Sequence, residues 1–329
     1  MVTRSRDQGC TERFLYQTGE DALVTGIYAP ADKRHRIPEV KGFIDLHTHG
    51  IGRYDTRTRQ PEDLLQMAAL HTCKGTAAIL PTIYPGLIGE MRSNLDALRK
   101  AMEMQKRSDP SSATCPSAVI LGAHLEGPFL NPERCGSLDR TIFLKPTLSN
   151  LNKLVTGHED IIKIITIAPE IPGALKLIEK CSGLGIKVNM GHSDATYKQA
   201  VDGKKAGATG ITHLFNAMRP FHHREPGLAG LGLIDEELYV EVIADGVHLH
   251  PKTLELIFRI KRPDRLILVS DSVKAGKTGK GALYNRDGVL AGSAIPIGGA
   301  VSRLRSVGVP DAEIIGVSID NPACYIGLR

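Results

Sequence analysis

Two histidines one residue apart close an apolar run at Phe43-Ile44-Asp45-Leu46-His47-Thr48-His49. Alternate side chains of a strand share a face. His47 and His49 therefore aim together, as two imidazoles do when they grip one metal ion. Polar groups recur behind other apolar runs: His124 and Glu126, His192, His213, Asp245 with His248, and Ser270-Asp271-Ser272. An unpaired carboxylate buried at Glu126 would cost several kcal/mol, a cost that bridging a metal offsets. His192 and His213 read as further ligands or, separately, as hydrogen-bonded buried histidines. Asp271 reads as ligand, general base or both, with a turn cap as the plainer alternative. His124 reads as a support behind a ligand or as packing. Imidazoles and carboxylates in such a set suit a divalent metal ion.

Three loops carry further candidates. Phe215-Asn216-Ala217-Met218-Arg219-Pro220-Phe221-His222-His223-Arg224-Glu225-Pro226-Gly227 offers Arg, His and backbone N–H donors suited to a phosphate; a solvated loop is the alternative. Asp245 and His248 suit hydrogen bonds to a polyol, or a turn. Lys274, Lys277 and Lys280 lie among glycines, but Gly276–Gly281 does not match GxxxxGK[ST] and reads as a loop.

These residues need elements to hold them. From Gly42, apolar runs alternate with helical patterns. The runs are Phe43–His49, Thr76–Ile83, Ala118–Glu126, Ile162–Glu170, Ile186–Ser193, Gly210–Phe215, Val240–Asp245 and Arg265–Ser272. Helices are expected at Pro61–Lys74, Leu87–Lys106, Pro172–Leu184, Ala195–Lys205 and Pro251–Lys261, the first opened by Pro61-Glu62-Asp63. Continuously apolar strands suit a parallel sheet buried on both faces. Eight β/α units suit a closed (β/α)₈ TIM barrel, with a doubly wound open sheet as the alternative. All the polar clusters then lie at C-terminal strand ends, where barrel active sites are built. Residues 1–41 are polar and irregular, with a basic cluster Lys33-Arg34-His35-Arg36 read as a solvated charge run and β patterning near Ala22–Ile27.

The 329 residues are 42% hydrophobic and 23% charged, enough for one barrel-sized core. The net charge of +5 is spread thinly. It weakly favours anionic small molecules and, without a basic run interleaved with aromatics, does not suggest nucleic acid. Cys10, Cys73, Cys115, Cys135, Cys181 and Cys324 show no CxxC spacing, so reduced thiols are expected. No signal-peptide pattern and no apolar run of membrane length is present, which gives the expectation of a soluble cytoplasmic protein with no membrane partner.

The strings GFIDLHTHG at 42–50, HLEGPFLNPE at 124–133, GHSDAT at 191–196, THLFNAM at 212–218, HHREPGLAG at 222–230, ADGVHL at 244–249, LVSDS at 268–272 and LAGSA at 290–294 go together. In this combination the chain, over roughly residues 42–329, resembles the N-acetylglucosamine-6-phosphate deacetylases of the amidohydrolase superfamily. The resemblance implies a metal-dependent (β/α)₈ barrel with a small β-sandwich, removing acetate from an amino-sugar phosphate. It implies Glu126, His192 and His213 as ligands of the principal metal. It implies His47 and His49 as the pair that, with Glu126 bridging, holds a second, and Asp271 as general base and acid. Asn216, Ala217, His223, Arg224, His248, Leu290, Ala291 and Gly292 fall where that family contacts sugar and phosphate. The loop with His223 and Arg224 reaches a partner's site there, implying a homodimer. The ligand types suit Zn²⁺ or Fe²⁺, one or two ions per subunit.

Two departures stand out. The family's Gly-Ala-His, whose histidine polarises the acetyl carbonyl, is here Gly136-Ser137-Leu138, and leucine cannot donate. Metal alone then polarises the carbonyl, or His124 or His223 substitutes, or activity is weak. The β-sandwich is expected to be missing or vestigial, leaving residues 1–41 as a short remnant and 42–329 as the barrel; Ser272–Gly288 also reads as shortened. Three functions compete: deacetylation of N-acetylglucosamine 6-phosphate; another N-acetylhexosamine phosphate or amidohydrolase substrate; and a weakly active sugar-phosphate-binding homologue. Ala168-Pro169-Glu170 at the end of the fourth strand counts against the branch that carries a carbamylated lysine there.

Overall fold

The computed structural model describes residues 12–18, 22–28, 42–107, 117–274, 282–285 and 287–328. Its frame is a barrel of eight strands. They are β1 (Phe43–Thr48), β2 (Thr76–Ile83), β3 (Val119–Ile120 continuing as Ala123–Glu126), β4 (Ile162–Ile167), β5 (Lys187–Met190), β6 (Gly210–Ile211), β7 (Tyr239–Ile243) and β8 (Leu266–Val269). Sequential neighbours pair in parallel from β1 round to β8. A parallel bridge between Thr48 and Ser272 closes β8 onto β1. Closure decides for the barrel over an open sheet; seven of the eight expected runs contain their strand, and β7 begins one residue before its run, at Tyr239.

Helices fill the crossovers: α1 (Pro61–Thr72), α2 (Ile88–Arg107), α3 (Leu148–Val155), α4 (Ala174–Gly183), α5 (Tyr197–Lys205), α6 (Gly227–Ile234) and α7 (Pro251–Ile260). Beyond β8 come α8 (Ile297–Ser306), α9 (Asp311–Ile315), a π turn at Gly316–Asp320 and α10 (Asn321–Tyr325). Proline and two acids open α1, as its sequence suggests. Thr196 and Gln199 form a reciprocal capping box on α5. Met91, Leu95, Leu98 and Ala101 give α2 a buried stripe at helical spacing. The segment Gly-Leu-Ala-Gly-Leu-Gly-Leu-Ile of α6 has poor helix propensity, yet seven of its residues are buried, so packing overrides propensity.

Two apolar clusters make the core. The larger lies between strands and helices, with Ile79, Leu125, Ile165, Val188, Val240 and Leu268 against residues such as Leu95 and Leu177. The smaller gathers Ile44, Leu46, Leu80, Ile164, Ile243 and Val269 from round the barrel with Ala323 and Tyr325 of α10, which places α10 against the barrel interior. An antiparallel pair, Ala282–Tyr284 with Leu290–Ser293, joins the mouth through a bridge from Ser293 to Ser272. A separate antiparallel pair joins Glu12–Thr18 to Ala22–Tyr28, so strand structure does occur where Ala22–Ile27 suggested it. The basic cluster at 33–36 and the loop at 276–281 lie outside the described residues. Among the described cysteines, Cys73, Cys135, Cys181 and Cys324 are free thiols. No helix among the described residues is long and apolar enough to cross a membrane.

Candidate metal centre and catalytic site

The strand ends converge on Glu126. Its Oε1 lies 3.0 Å from His192 Nε2 and 3.2 Å from His213 Nε2, and its Oε2 lies 3.2 Å from His49 Nε2. His47 Nε2 stands 3.5 Å from Oε1 and 3.3 Å from His49 Nε2. Two sets of ligand atoms, His47/His49/Glu126 and Glu126/His192/His213, each fall within 4.8 Å of one another and share the glutamate. All five residues are buried. The register of β1 against β2 shifts between Asp45 and Thr48, so a bulge sits where the two histidines leave the strand.

The proton positions can be deduced. His192 Nδ1 is 2.9 Å from the Arg134 carbonyl and His49 Nδ1 is 3.0 Å from the Thr82 carbonyl. A carbonyl only accepts, so both Nδ1 atoms carry hydrogen. His47 Nδ1 faces Glu241 Oε2 at 3.2 Å and must donate likewise. In neutral rings each Nε2 is then a lone pair, and all three lone pairs meet carboxylate oxygens, which also only accept. Such a convergence of acceptors is repulsive unless a cation or an added proton stands between them. Burial alone would raise the Glu126 carboxyl, but the charges of His192 and His49 and hydrogen bonds from His192 and His213 hold it well below the usual range. Burial would lower the His47 imidazole, yet hydrogen bonds to Glu126 and Glu241 raise it well above its ordinary value. The donor set, buried and already carrying a charge, fits a divalent cation.

Asp271 stands beside this centre. Its Oδ1 is 3.5 Å from His47 Nε2 and 3.6 Å from His49 Nε2, and its Oδ2 is 3.9 Å from His248 Nε2. His248 is oriented by Asp245, whose Oδ2 accepts from Nδ1 at 2.7 Å. The Asp271 backbone is pinned on both sides: its N–H donates to the His47 carbonyl and its carbonyl accepts from Ser293. Among the described residues, five that are not glycine have left-handed backbones, His192, His213, Phe215, Ala217 and Asp271, and all follow barrel strands at the mouth. Strain of about 1–3 kcal/mol each is tolerated where surrounding structure fixes it, commonly at functional sites.

The other expected contacts are placed less uniformly. Gly292 sits at φ +144°, where an added Cβ would lie 2.5 Å from Val273 Cγ1 and 2.9 Å from the Asp271 carbonyl. Gly292→Ala is expected to cost about 1–3 kcal/mol of stability, read as a lower denaturant midpoint. Leu290 and Ala291 precede it, half-buried, and Ala291 lines a cavity of about 690 Å³ with Arg57, Tyr84, Leu138, Val273 and Lys274. Asn216 turns its amide to the His213 and Leu214 carbonyls. Ala217 accepts from the Ser193 N–H through its carbonyl. His223 and Arg224 are exposed, 2.9 Å apart, on the loop before α6. His124 is not a donor to this cavity. Its nitrogens are occupied by the Leu46 carbonyl and Thr166 Oγ1, and burial pushes the ring down to about 4.

Several supporting residues were not singled out from the sequence. Glu241, Asn189 and Asp45 are buried polar residues in the middle of strands read as apolar; that interruption was the available signal. Glu170 accepts from Asn131, Ser193 Oγ and the Asp194 N–H, tying three mouth loops together. Asp194 binds both Arg134 and Arg219, and Arg134 supplies the carbonyl that orients His192. Tyr84 stacks on His49 at 3.8 Å between ring centroids, with the Arg57 guanidinium carbon 4.3 Å from the Tyr84 ring centroid. No spacing rule links those pairs, which only the fold brings together.

Comparison with known proteins gives a consistent picture. The model of the amidohydrolase family matches residues 40–298. An N-acetylglucosamine-6-phosphate deacetylase of Bacillus subtilis is 34% identical over 92% of this chain and 78% of its own length. One of Lysinibacillus sphaericus is 32% identical over 81% and 70%. An N-acetylgalactosamine-6-phosphate deacetylase of Escherichia coli O157:H7 is 30% identical over 87% and 77%. Among solved structures, the N-acetylglucosamine-6-phosphate deacetylase of Thermotoga maritima superposes with a TM-score of 0.79 at 28% identity, covering 96% of this chain and 86% of that one. A Mycobacterium smegmatis variant in complex with N-acetyl-D-glucosamine-6-phosphate gives 0.79 at 27%, with the same coverage.

Proposed function

The chain belongs to the amidohydrolase family, and from that premise we propose that it hydrolyses N-acetylglucosamine 6-phosphate to glucosamine 6-phosphate and acetate. The observation that carries this reading is the gathering of four histidines round one buried glutamate at the barrel mouth, with Asp271 beside them. Glu126, His192 and His213 would hold the principal divalent cation; His47, His49 and Glu126 would hold a second. Zn²⁺ and Fe²⁺ both suit these ligands. The bound cation supplies Lewis acidity, which brings a water pKa towards about 7 and polarises an amide carbonyl.

The chain's own residues supply the rest. Asp271 takes a proton from the attacking water and delivers it to the departing nitrogen, so the C–N bond breaks to an amine rather than an amide anion. Asp245 aims His248 at the far side of Asp271, towards the sugar. Arg224 and His223 bind the phosphate, Asn216 and Ala217 the sugar, and Leu290 to Gly292 the wall behind it. Leu138 borders the same cavity and cannot donate, so a bound cation would polarise the carbonyl, with His223 as an imidazole to test as a substitute. The exposed loop carrying His223 and Arg224 supports a homodimer in which that loop completes a partner's site. Free thiols support a cytoplasmic setting, and the Glu12–Tyr28 strand pair supports β-structure outside the barrel within residues 1–41.

The test is acetate release from N-acetylglucosamine 6-phosphate, its galacto epimer and unphosphorylated N-acetylglucosamine, with Zn²⁺ or Fe²⁺ supplied. Release from the first at the highest kcat/KM is expected. The Escherichia coli relative makes the galacto epimer the second reading; a preference for it would replace the first. Tight sugar-phosphate binding without acetate would leave a binding protein, and neither binding nor release would leave another amidohydrolase substrate. Arg224→Ala is expected to raise KM about 10- to 100-fold with kcat little changed, since a charge-assisted hydrogen bond contributes about 1.5–3 kcal/mol.

A further inference from the structure

We propose that Tyr325, Asn189 and Glu241 form a positioning relay that fixes the His47 proton on Nδ1 and so prepares Nε2 to hold the second cation. This rests on the reading of His47 and His49 as a cation site. The four residues come from α10, β5, β7 and β1, and all four are buried. Tyr325 Oη lies 2.5 Å from Asn189 Oδ1, Asn189 Nδ2 lies 2.8 Å from Glu241 Oε1, and His47 Nδ1 lies 3.2 Å from Glu241 Oε2.

Every proton in this chain has a forced position. The carboxylate of Glu241 only accepts, so Asn189 must turn its NH₂ towards it. The Asn189 oxygen then faces Tyr325, which must donate. Tyr325 Oη in turn accepts from Thr209 Oγ1, 3.1 Å away. With one Glu241 oxygen held by Asn189, the other is left to accept from His47. The relay therefore selects one His47 tautomer, the one that presents a lone pair to the cation.

Space has been kept for it. Gly210 in β6 has no side chain, and an added Cβ would lie 2.2 Å from Asn189 Oδ1 and 2.5 Å from Tyr325 Oη. His47 is also held differently from its neighbours. His49 and His192 donate to backbone carbonyls, whereas His47 donates to a carboxylate. A carboxylate behind a histidine raises its basicity as a ligand, and losing such a partner typically costs 10- to 100-fold in metal affinity. The tyrosine that ends the relay sits on the last helix, so α10 contributes to the mouth from the opposite end of the barrel.

The experiment uses the full chain stripped of metal, titrated with Zn²⁺ alone against a competing chelator, with the His47 tautomer read by long-range ¹H–¹⁵N correlation. The wild type is expected to bind two equivalents and to show the Nδ1–H form. Glu241→Gln is expected to keep the first equivalent and bind the second 10- to 100-fold more weakly. Tyr325→Phe, which removes one oxygen and keeps the packing, is expected to weaken the second equivalent several-fold by loosening Asn189 and Glu241, while His47 keeps its Nδ1–H form because the Glu241 carboxylate still only accepts. Equal weakening of both equivalents, or an unchanged second equivalent in Tyr325→Phe, would overturn the relay. If Glu241→Gln does not fold, Tyr325→Phe decides alone. A wild type that binds one equivalent, with the His47 resonances unmoved, would remove His47 as a ligand and the relay with it. The substrate reading fails separately, in the acetate assay.

Discussion

Asp271→Asn lowers the rate of acetate release by about 10²- to 10⁴-fold while bound metal stays near the wild-type level. The substitution keeps the size and the pinned backbone of Asp271, whose N–H and carbonyl are held by His47 and Ser293. It removes only the carboxylate that faces His47, His49 and His248. An amide cannot accept the water proton and return it to nitrogen. The principal ligands Glu126, His192 and His213 are untouched, so metal analysis and turnover separate. Near-normal turnover would remove Asp271 from proton transfer; loss of all metal would make it a ligand instead.

Glu126→Gln has the opposite signature. Both ligand sets share this one carboxylate, so its loss weakens both cation positions at once. Removing a partner behind a ligand already costs 10- to 100-fold in affinity; loss of a bridging ligand should exceed about 100-fold at each position, and acetate release should fall below detection. Metal content by elemental analysis after dialysis checks this. A variant with both cations retained would show that the histidines suffice. The ionisation argument agrees in sign: Glu126 is held anionic by surrounding imidazoles, so its charge is what a neutral glutamine lacks.

Much of this site could be read from the chain because its chemistry sits where the apolar pattern stops. His47 and His49, Glu126, His192, His213 and Asp271 each terminate or follow a run that must be buried, and a barrel gathers such positions at one end. The eight runs were legible for the same reason. The extents of helices were less so: α6 is built from a glycine-rich segment that packing alone makes helical, and α3, α8, α9 and α10 carry short or irregular patterns. Glu241 escaped because a single carboxylate inside an apolar strand has no motif. Its partners come from separate elements, Asn189 and Tyr325 lying 136 positions apart. Glu170 was noticed for what it excludes, a carbamylated lysine, and the structure adds what it does: it knots three loops at the mouth. His124 shows the limit of spacing rules. It precedes Glu126 by two residues, yet its ring is spent on Leu46 and Thr166.

The dependence of hydrolysis on a cation held at Glu126 is tested most directly by stripping the protein with chelator and adding Zn²⁺ or Fe²⁺ stepwise. Bound metal and acetate release from N-acetylglucosamine 6-phosphate are followed on the same samples. Acetate release should be absent from the stripped protein and should rise in proportion to metal bound. Full release from protein shown to hold no metal would contradict it.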